Sequence, residues 1–129
     1  MHDYESAMLA YAKLAAVSQE RGQYLGRNRF LILAGAAACR GGWPNVAERC
    51  RQLVLENNPA HLVGKTATFA DALRDEEFQP FLKQLERFCP LETAEHLLRG
   101  LGLETGIPPG DTRDAGAFAL AMLEEPRTK

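Results

Sequence analysis

The fold of this chain is decided by residues 28–61, which read NRFLILAGAAACRGGWPNVAERCRQLVLENNPAH. This stretch is typical of two helices joined by a tight Gly-Gly-Trp-Pro turn, because glycine ends helices and proline fits the first turn of the next one. Its segment FLILAGAAA is apolar nearly all round, which predicts that the first of the two helices is the most buried element. We therefore expect a helical hairpin at the centre of the fold.

Helical patterns continue on both sides of the hairpin. Apolar residues recur every three to four positions from about Asp3 to Arg21, and Gly22 can end that helix with a left-handed cap. Downstream, the pattern predicts a short helix capped by Thr66 or Thr68, an amphipathic helix opened by Asp75-Glu76-Glu77, a helix after Pro90, and a last helix capped by Asp111 or Thr112 and ending near Glu125. No strand pattern persists. The sequence therefore predicts an all-α fold, a compact bundle of six or seven helices around the hairpin.

Two of the later helices carry apolar stripes that we expect to face the core, because their members recur at the spacing of one helix face. The stripe of the amphipathic helix consists of Phe78, Phe81, Leu82, Leu85, Phe88 and Cys89. The stripe of the helix after Pro90 consists of Leu91, Ala94, Leu97, Leu98 and Leu101.

The chain of 129 residues has the length of one domain, long enough to bury a single core. We expect a helical core over residues 1–102. Residues 103–129 then form a Gly/Pro linker, LETGIPPG, followed by a C-terminal helix. That helix has an apolar face, so it must dock either on its own core or on a second subunit, and a homodimer is one reading of this segment.

Residues 28–61 resemble a single tetratricopeptide repeat, a helix-turn-helix unit of about 34 residues. The family has small residues where its helices cross, a glycine near the turn and a proline at the end, and this sequence supplies Gly35, Gly42, Ala47 and Pro59 at that spacing. The resemblance implies that Gly35 and Ala47 face each other where the two helices cross, since small residues let helices approach closely. It also implies a role in binding other proteins.

The chain departs from the family pattern at several positions. Leu31 and Ala38 stand where the family has aromatic residues, and Arg51 stands where it has a bulky apolar one. Family members that grip a terminal carboxylate use Lys and Asn at positions that Ile32 and Ala36 occupy here, so we exclude that binding mode. A single repeat packs into a compact bundle, since an extended groove normally takes several repeats.

Charge is unevenly distributed along the chain, although the net charge is only -2. Residues 20–52 contain six Arg and two Glu, a balance of +4, whereas residues 53–129 contain eight Lys/Arg and thirteen Asp/Glu, a balance of -5. A protein partner could recognise this asymmetry. The alternative is that the two regions pair with each other or with another copy of the chain.

Four residues are candidates for binding a partner or an anion. Arg21, Arg27 and Arg29 lie near the junction of the first two helices and could hold a phosphate or an acidic peptide, because guanidinium groups match such ligands. The alternative is a solvated helix end with local salt bridges. Trp43 either packs on the turn near Ala47 or serves as an exposed aromatic anchor of the type enriched at interfaces.

No motif in the sequence names a reaction, so we expect neither a catalytic residue nor a cofactor. Glu92 and His96 share a helix face and could ligate a metal, but a surface ion pair is the simpler reading. An alternative function remains open, a small helical-bundle enzyme or ligand-binding protein. Its pocket would be lined by Phe78, Phe81, Phe88 and Tyr11.

The repeat-like hairpin, the charge asymmetry and the absence of catalytic residues favour a protein-interaction or adaptor module with an unidentified protein partner, and the remaining bulk properties favour a cytoplasmic location. The N-terminus lacks the basic residues of a signal peptide, and no apolar run approaches about 18 residues, so no membrane partner is expected. Three cysteines, Cys39, Cys50 and Cys89, suit reduced thiols. A sequence pI of about 5.9 argues against nucleic acid as the partner.

Overall fold

A computed structural model describes residues 3–124 of the chain, which fold into seven α-helices and one short 3₁₀ turn, without a strand in this part. The helices are α1 (Tyr4–Glu20), α2 (Tyr24–Gly41), α3 (Pro44–Asn57), α4 (Phe69–Arg74), α5 (Phe78–Phe88), α6 (Leu91–Gly100) and α7 (Ala115–Glu124), and the 3₁₀ turn is Leu62–Lys65. The all-α prediction is confirmed. The 3₁₀ turn was not predicted, since it is too short to show a periodic pattern.

Helix α2 is the central element of the bundle, packed between α1 on one side and α3 on the other. The eight consecutive residues 31–38 are all buried. This run confirms that α2, whose centre is apolar nearly all round, is the most buried of the described helices. Five of its members are alanine or glycine, so neighbouring helices can lie close to α2 on every side.

Helices α2 and α3 form the predicted hairpin. Gly42 ends α2 with a φ of 93°, a left-handed conformation that favours glycine, and the N–H of Trp43 donates to the Ala38 carbonyl at 2.7 Å. At the other end, Asn28 Nδ2 donates to Asn57 Oδ1 at 2.7 Å. Because this bond joins the beginning of α2 to the end of α3, the two helices run antiparallel.

Gly35 lies against a different neighbour from the one expected. A Cβ atom placed on Gly35 would lie 2.4 Å from Cε2 of Phe69, and its three nearest atoms all belong to that ring. Phe69 and not Ala47 is thus the nearest neighbour of Gly35, and Ala47 is itself buried. The missing side chain at Gly35 makes room for Phe69, which α4 places in the core with 0% of its surface exposed.

The segment between α3 and α4 is tied to α3 by two charged side chains. Glu48 Oε2 accepts a hydrogen bond from the Phe69 N–H at 2.6 Å, and Arg51 Nη2 donates to the Thr66 carbonyl at 2.6 Å. Arg51 Nε also donates to the Val63 carbonyl at 3.3 Å. These bonds give Arg51 a structural role, because its guanidinium group holds two backbone carbonyls of the segment.

The stripe on α5 is only partly buried as expected. Phe78, Leu82 and Leu85 are buried, but Phe88 is 73% exposed. At about 100° per residue, Phe88 lies roughly 80° from Phe78 around the helix, at the edge of the stripe. It is also the last residue of α5, where no neighbouring helix covers it.

Helix α7 packs against α1 and α3 of its own chain. Its N-terminus is capped by Asp114, whose side chain accepts a backbone hydrogen bond at 2.8 Å. The expected caps, Asp111 and Thr112, are therefore wrong. Asp111 instead binds Arg113 through both carboxylate oxygens. The expected end of this helix, Glu125, lies outside the described residues.

The 3₁₀ turn is capped by a histidine side chain, which makes its stability dependent on pH. His61 Nδ1 accepts the Val63 N–H at 3.0 Å, and the imidazole lies edge-on to the Phe81 ring with 5.5 Å between centroids. Burial lowers the pKa of His61 below its ordinary value of 6.5. The neutral imidazole is thus the form that the folded chain prefers.

We expect the melting temperature to fall at mildly acidic pH because of His61. The unfolded chain binds the proton more tightly, so this contribution is complete above the unfolded pKa of about 6.5 and is lost as the pH falls through the folded pKa. Relative to His61→Asn, which keeps an acceptor, the wild-type chain should lose about 1–4 °C between pH 7.5 and pH 5, a modest effect because the ring is half exposed. Parallel melting curves that show no such difference would contradict this role.

Candidate functional site

Helix α6 carries more apolar surface than its neighbours bury. Ala94 and Leu98 are completely buried, whereas Leu97 is 43% and Leu101 is 38% exposed. Adjacent residues on a helix point about 100° apart, so Leu97 and Leu98 cannot both face α1, the helix on which α6 packs. The expectation that the whole stripe faces the core is therefore wrong for Leu97 and Leu101.

The two exposed leucines border a groove with a volume of about 390 Å³, which we call the α1–α6 groove. Its apolar lining consists of Leu14, Val17, Phe30, Leu97 and Leu101. Its polar lining consists of Ser18, Arg21, Gln23 and His96. The groove thus brings together the end of α1, the beginning of α2 and the end of α6.

The structure separates the three arginines of the predicted anion site. Arg21 is exposed at the end of α1 and lines the α1–α6 groove. Arg27 is only 6% exposed, and its Nη1 donates to Asn28 Oδ1 at 3.2 Å. Arg29 is exposed, since two residues along a helix turn the side chain by about 200° away from Arg27. The three guanidinium groups therefore do not form one surface cluster.

Other arginines of the basic segment pair with carboxylates inside the chain. Arg40 Nη1 lies 2.6 Å from Glu86 Oε2, and Arg49 Nη2 donates to Glu124 Oε1 at 3.1 Å. These pairs join the basic and acidic regions, as one of the two readings of the charge asymmetry expected. Within residues 3–124, the ion pairs do not include Arg21 or Arg29. Arg21 is thus a solvent-accessible cation on the wall of an apolar groove.

Trp43 is partly buried in its own chain, between two glycines. A Cβ atom on Gly41 would lie 2.5 Å from Cζ3 of the indole, and one on Gly116 would lie 2.7 Å from Cδ1. Gly116 belongs to α7, so Trp43 joins the hairpin turn to the C-terminal helix. These contacts place the indole away from the α1–α6 groove.

Two other grooves carry a different charge. One, of about 560 Å³, includes Asp3, Arg40 and Glu86. Another, of about 220 Å³ beside the linker, includes Lys13 and Glu104. Both contain acidic and basic side chains, whereas the charged and titratable lining of the α1–α6 groove contains bases and no acid.

The aromatic pocket considered from the sequence does not form. The Phe78 ring packs between Phe69 and Phe81, with centroid separations of 6.0 and 5.7 Å, and Phe78 is buried. Phe88 points to solvent. The Tyr11 hydroxyl donates to the Cys89 carbonyl at 2.6 Å, which fixes it in the core.

The thiols and the candidate metal residues offer no assembled site in the described part of the chain. Cys39, Cys50 and Cys89 are free, and burial raises the pKa of each, to about 12 for Cys50, so these thiols stay protonated near neutral pH. Glu92 and His96 are both exposed. Over residues 3–124, no three His, Cys, Asp or Glu side chains come close enough to hold a metal ion.

Comparison with models of known protein families gives no match, and neither curated proteins nor solved structures show a significant similarity to the chain. Among the described helices, none has the length and the apolar character needed to cross a bilayer. The α1–α6 groove is therefore the candidate site on the strength of its own geometry.

Proposed function

We propose that this chain is a protein-interaction module and that a helix of a partner protein docks in the α1–α6 groove. The observation that carries the proposal is the exposure of Leu97 and Leu101 beside an apolar groove. Exposed apolar side chains that continue into a concave apolar surface are typical of interaction sites.

The spacing of the two leucines favours a helix as the occupant. Leu97 and Leu101 are four residues apart, so they lie one above the other along α6. A helix laid beside α6 would cover both, as an amphipathic helix does when it binds in an apolar groove.

The resemblance of residues 28–61 to a tetratricopeptide repeat supports a binding role, and the structure suggests a different surface for it. Ile32 and Ala36, which stand where some family members hold a terminal carboxylate, are buried here. The partner surface that we propose is built by α1 and α6, on the outside of the bundle.

The proposal predicts that Leu97→Asp/Leu101→Asp abolishes partner capture. Full-length protein would serve as bait in an extract of cells that express the gene, with proteins captured by wild type and variants compared by mass spectrometry. We expect the double variant to reduce capture of the specific partner by at least about tenfold, because a desolvated carboxylate costs several kcal/mol at an apolar interface.

Phe88→Asp is the matched control, since it puts the same acid on an exposed apolar position outside the groove. It should capture the partner as wild type does, and melting curves should show that both variants are folded. Equal capture by the double variant and wild type would contradict the proposal, as would loss of capture with Phe88→Asp alone.

A further inference from the structure

The geometry points to an acidic amphipathic helix as the occupant of the α1–α6 groove, with apolar side chains between α1 and α6 and a carboxylate on Arg21. This inference rests on the proposed function and specifies the chemistry of the partner. It follows from the charges on the groove, from the freedom of Arg21 and from the layout of the apolar lining.

The charges on the groove select against a basic partner. Arg21 and His96 line it, and no Asp or Glu does. The first turn of α2, which begins beside Gln23, contains no acidic residue either. A lysine or arginine brought into this groove would meet the Arg21 guanidinium without a balancing carboxylate on its walls, whereas a carboxylate would find an attractive partner in it.

Arg21 is available for a carboxylate from outside. Its side chain is exposed at the C-terminal cap of α1, and no ion pair within residues 3–124 includes it. A guanidinium group donates two parallel hydrogen bonds to one carboxylate, which fixes orientation as well as charge. Its neighbour Glu20 is not part of the groove lining.

The lining places the apolar and the charged contacts on one ligand. Leu97 lies in the last turn of α6 and Leu101 is the C-cap of that helix, while Arg21 lies on the wall that the end of α1 forms. A helix beside α6 would therefore present apolar residues four positions apart to the leucines and an Asp or Glu on the neighbouring face to Arg21. The partner predicted here is an acidic amphipathic helix of another protein.

Selection from a peptide library tests this inference directly. A phage-displayed library of random 16-residue peptides would be panned on the full-length chain, with counter-selection on Leu97→Asp/Leu101→Asp. Enriched peptides would be synthesised, and their Kd values measured by fluorescence anisotropy on wild type, Arg21→Glu and Arg87→Glu. Arg87 is the matched control, an exposed arginine outside the groove and outside the ion pairs of the described residues.

We expect the enriched peptides to combine an Asp or Glu with apolar residues four positions apart. Arg21→Glu should weaken them by at least about tenfold and Arg87→Glu by less than about twofold, since reversing a charge that touches the ligand replaces attraction with repulsion. Changing the acidic residue of the peptide to Lys should restore binding to Arg21→Glu.

The outcomes separate the two proposals. The proposal of an acidic helix is overturned if the enriched peptides are neutral or basic, or if they bind Arg21→Glu as tightly as wild type. If the same peptides no longer bind Leu97→Asp/Leu101→Asp, the proposal of a docking groove still stands. Peptides insensitive to the double substitution, or a library without any groove-dependent clone, overturn both. A wild-type dimer that the double variant converts to a monomer in sedimentation would show that a second copy covers the groove, which also overturns both.

Discussion

Gly35→Leu lowers the melting temperature by about 10 °C or more, one of the two largest effects that we expect of a single substitution in this chain. A Cβ atom at this position would lie 2.4 Å from Cε2 of Phe69, which is closer than two non-bonded carbon atoms can approach each other. The ring cannot swing away, because Phe69 is completely buried and packs edge-on against Phe78 with centroids 6.0 Å apart. Overpacking of such a site costs about 1–3 kcal/mol and sometimes more, which sets the scale of the change.

Gly26 provides the control on the same helix. Beyond its chain neighbours and the backbone of its own helix turn, no atom lies within 4 Å of a Cβ placed on Gly26, so Gly26→Ala should stabilise the chain by roughly 0.5–1 kcal/mol through the lower entropy of its unfolded state. Thermal melting followed by circular dichroism measures both variants. Substitutions of two glycines in the same helix would then change the stability of the chain in opposite directions. An unchanged melting temperature for Gly35→Leu would show that α4 does not pack on α2 in this way.

The second large effect is expected of Trp43→Ala, which should destabilise the chain by about 3 kcal/mol. Replacing a core tryptophan with alanine costs about 3–5 kcal/mol, and the partial burial of Trp43 places it at the lower end of that range. The loss is not confined to the turn. The indole fills the space beside Gly116, so its removal should also loosen α7 from the core.

Two measurements distinguish the local loss from the loosening of α7. Urea denaturation followed by circular dichroism gives the stability, since this is the only tryptophan of the chain and its fluorescence disappears with the substitution. Limited proteolysis within residues 101–114 should become at least about tenfold faster than in wild type, because the linker is already largely exposed and detaching the helix frees its anchored end to enter a protease. The stability and the cleavage rate of Trp43→Phe should lie between those of wild type and Trp43→Ala. Unchanged stability and cleavage would mean that the indole does not hold α7.

The helices could be predicted from the sequence because their signals are local. Gly22 and Gly42 end α1 and α2 with φ values of 70° and 93°, and Pro44 begins α3. Thr68 caps α4 as expected. The glycines and the proline act through a backbone conformation that their residue type favours, and Thr68 acts through a side-chain hydrogen bond to the first turn, so a single chain is enough to read these signals.

The packing partners could not be predicted, because they depend on segments distant in the sequence. Gly35 was expected to face Ala47 from its place in the repeat pattern, but Phe69 reaches it from α4, and Glu48 and Arg51 hold the segment that brings it there. Nothing in the sequence indicates that these two charged side chains form hydrogen bonds to backbone groups of that segment. The same spacing could equally have served an exposed ion pair.

For the candidate site too, the local features could be predicted from the sequence and the packing could not. Arg21 was recognised as a candidate because its residue type and its place at a helix end were visible, but its apolar surroundings were not. The α1–α6 groove joins residues 14–30 to residues 96–101, and their proximity comes only from the packing of α6 on α1. The adjacent pair Leu97-Leu98 was the available signal, since one neighbouring helix cannot cover both.

The complete burial of residues 31–38 divides the positions of this chain into two groups with different freedom to change. Within that run almost any substitution alters volume against a close neighbour, so changes there are removed by their effect on folding. At the end of α6, Leu97 and Leu101 are 43% and 38% exposed, so exchanging them costs the core less than a change within residues 31–38. The substitutions that accompany a change of partner would therefore fall on the residues of the groove, while the centre of α2 would keep its small residues whatever the chain binds.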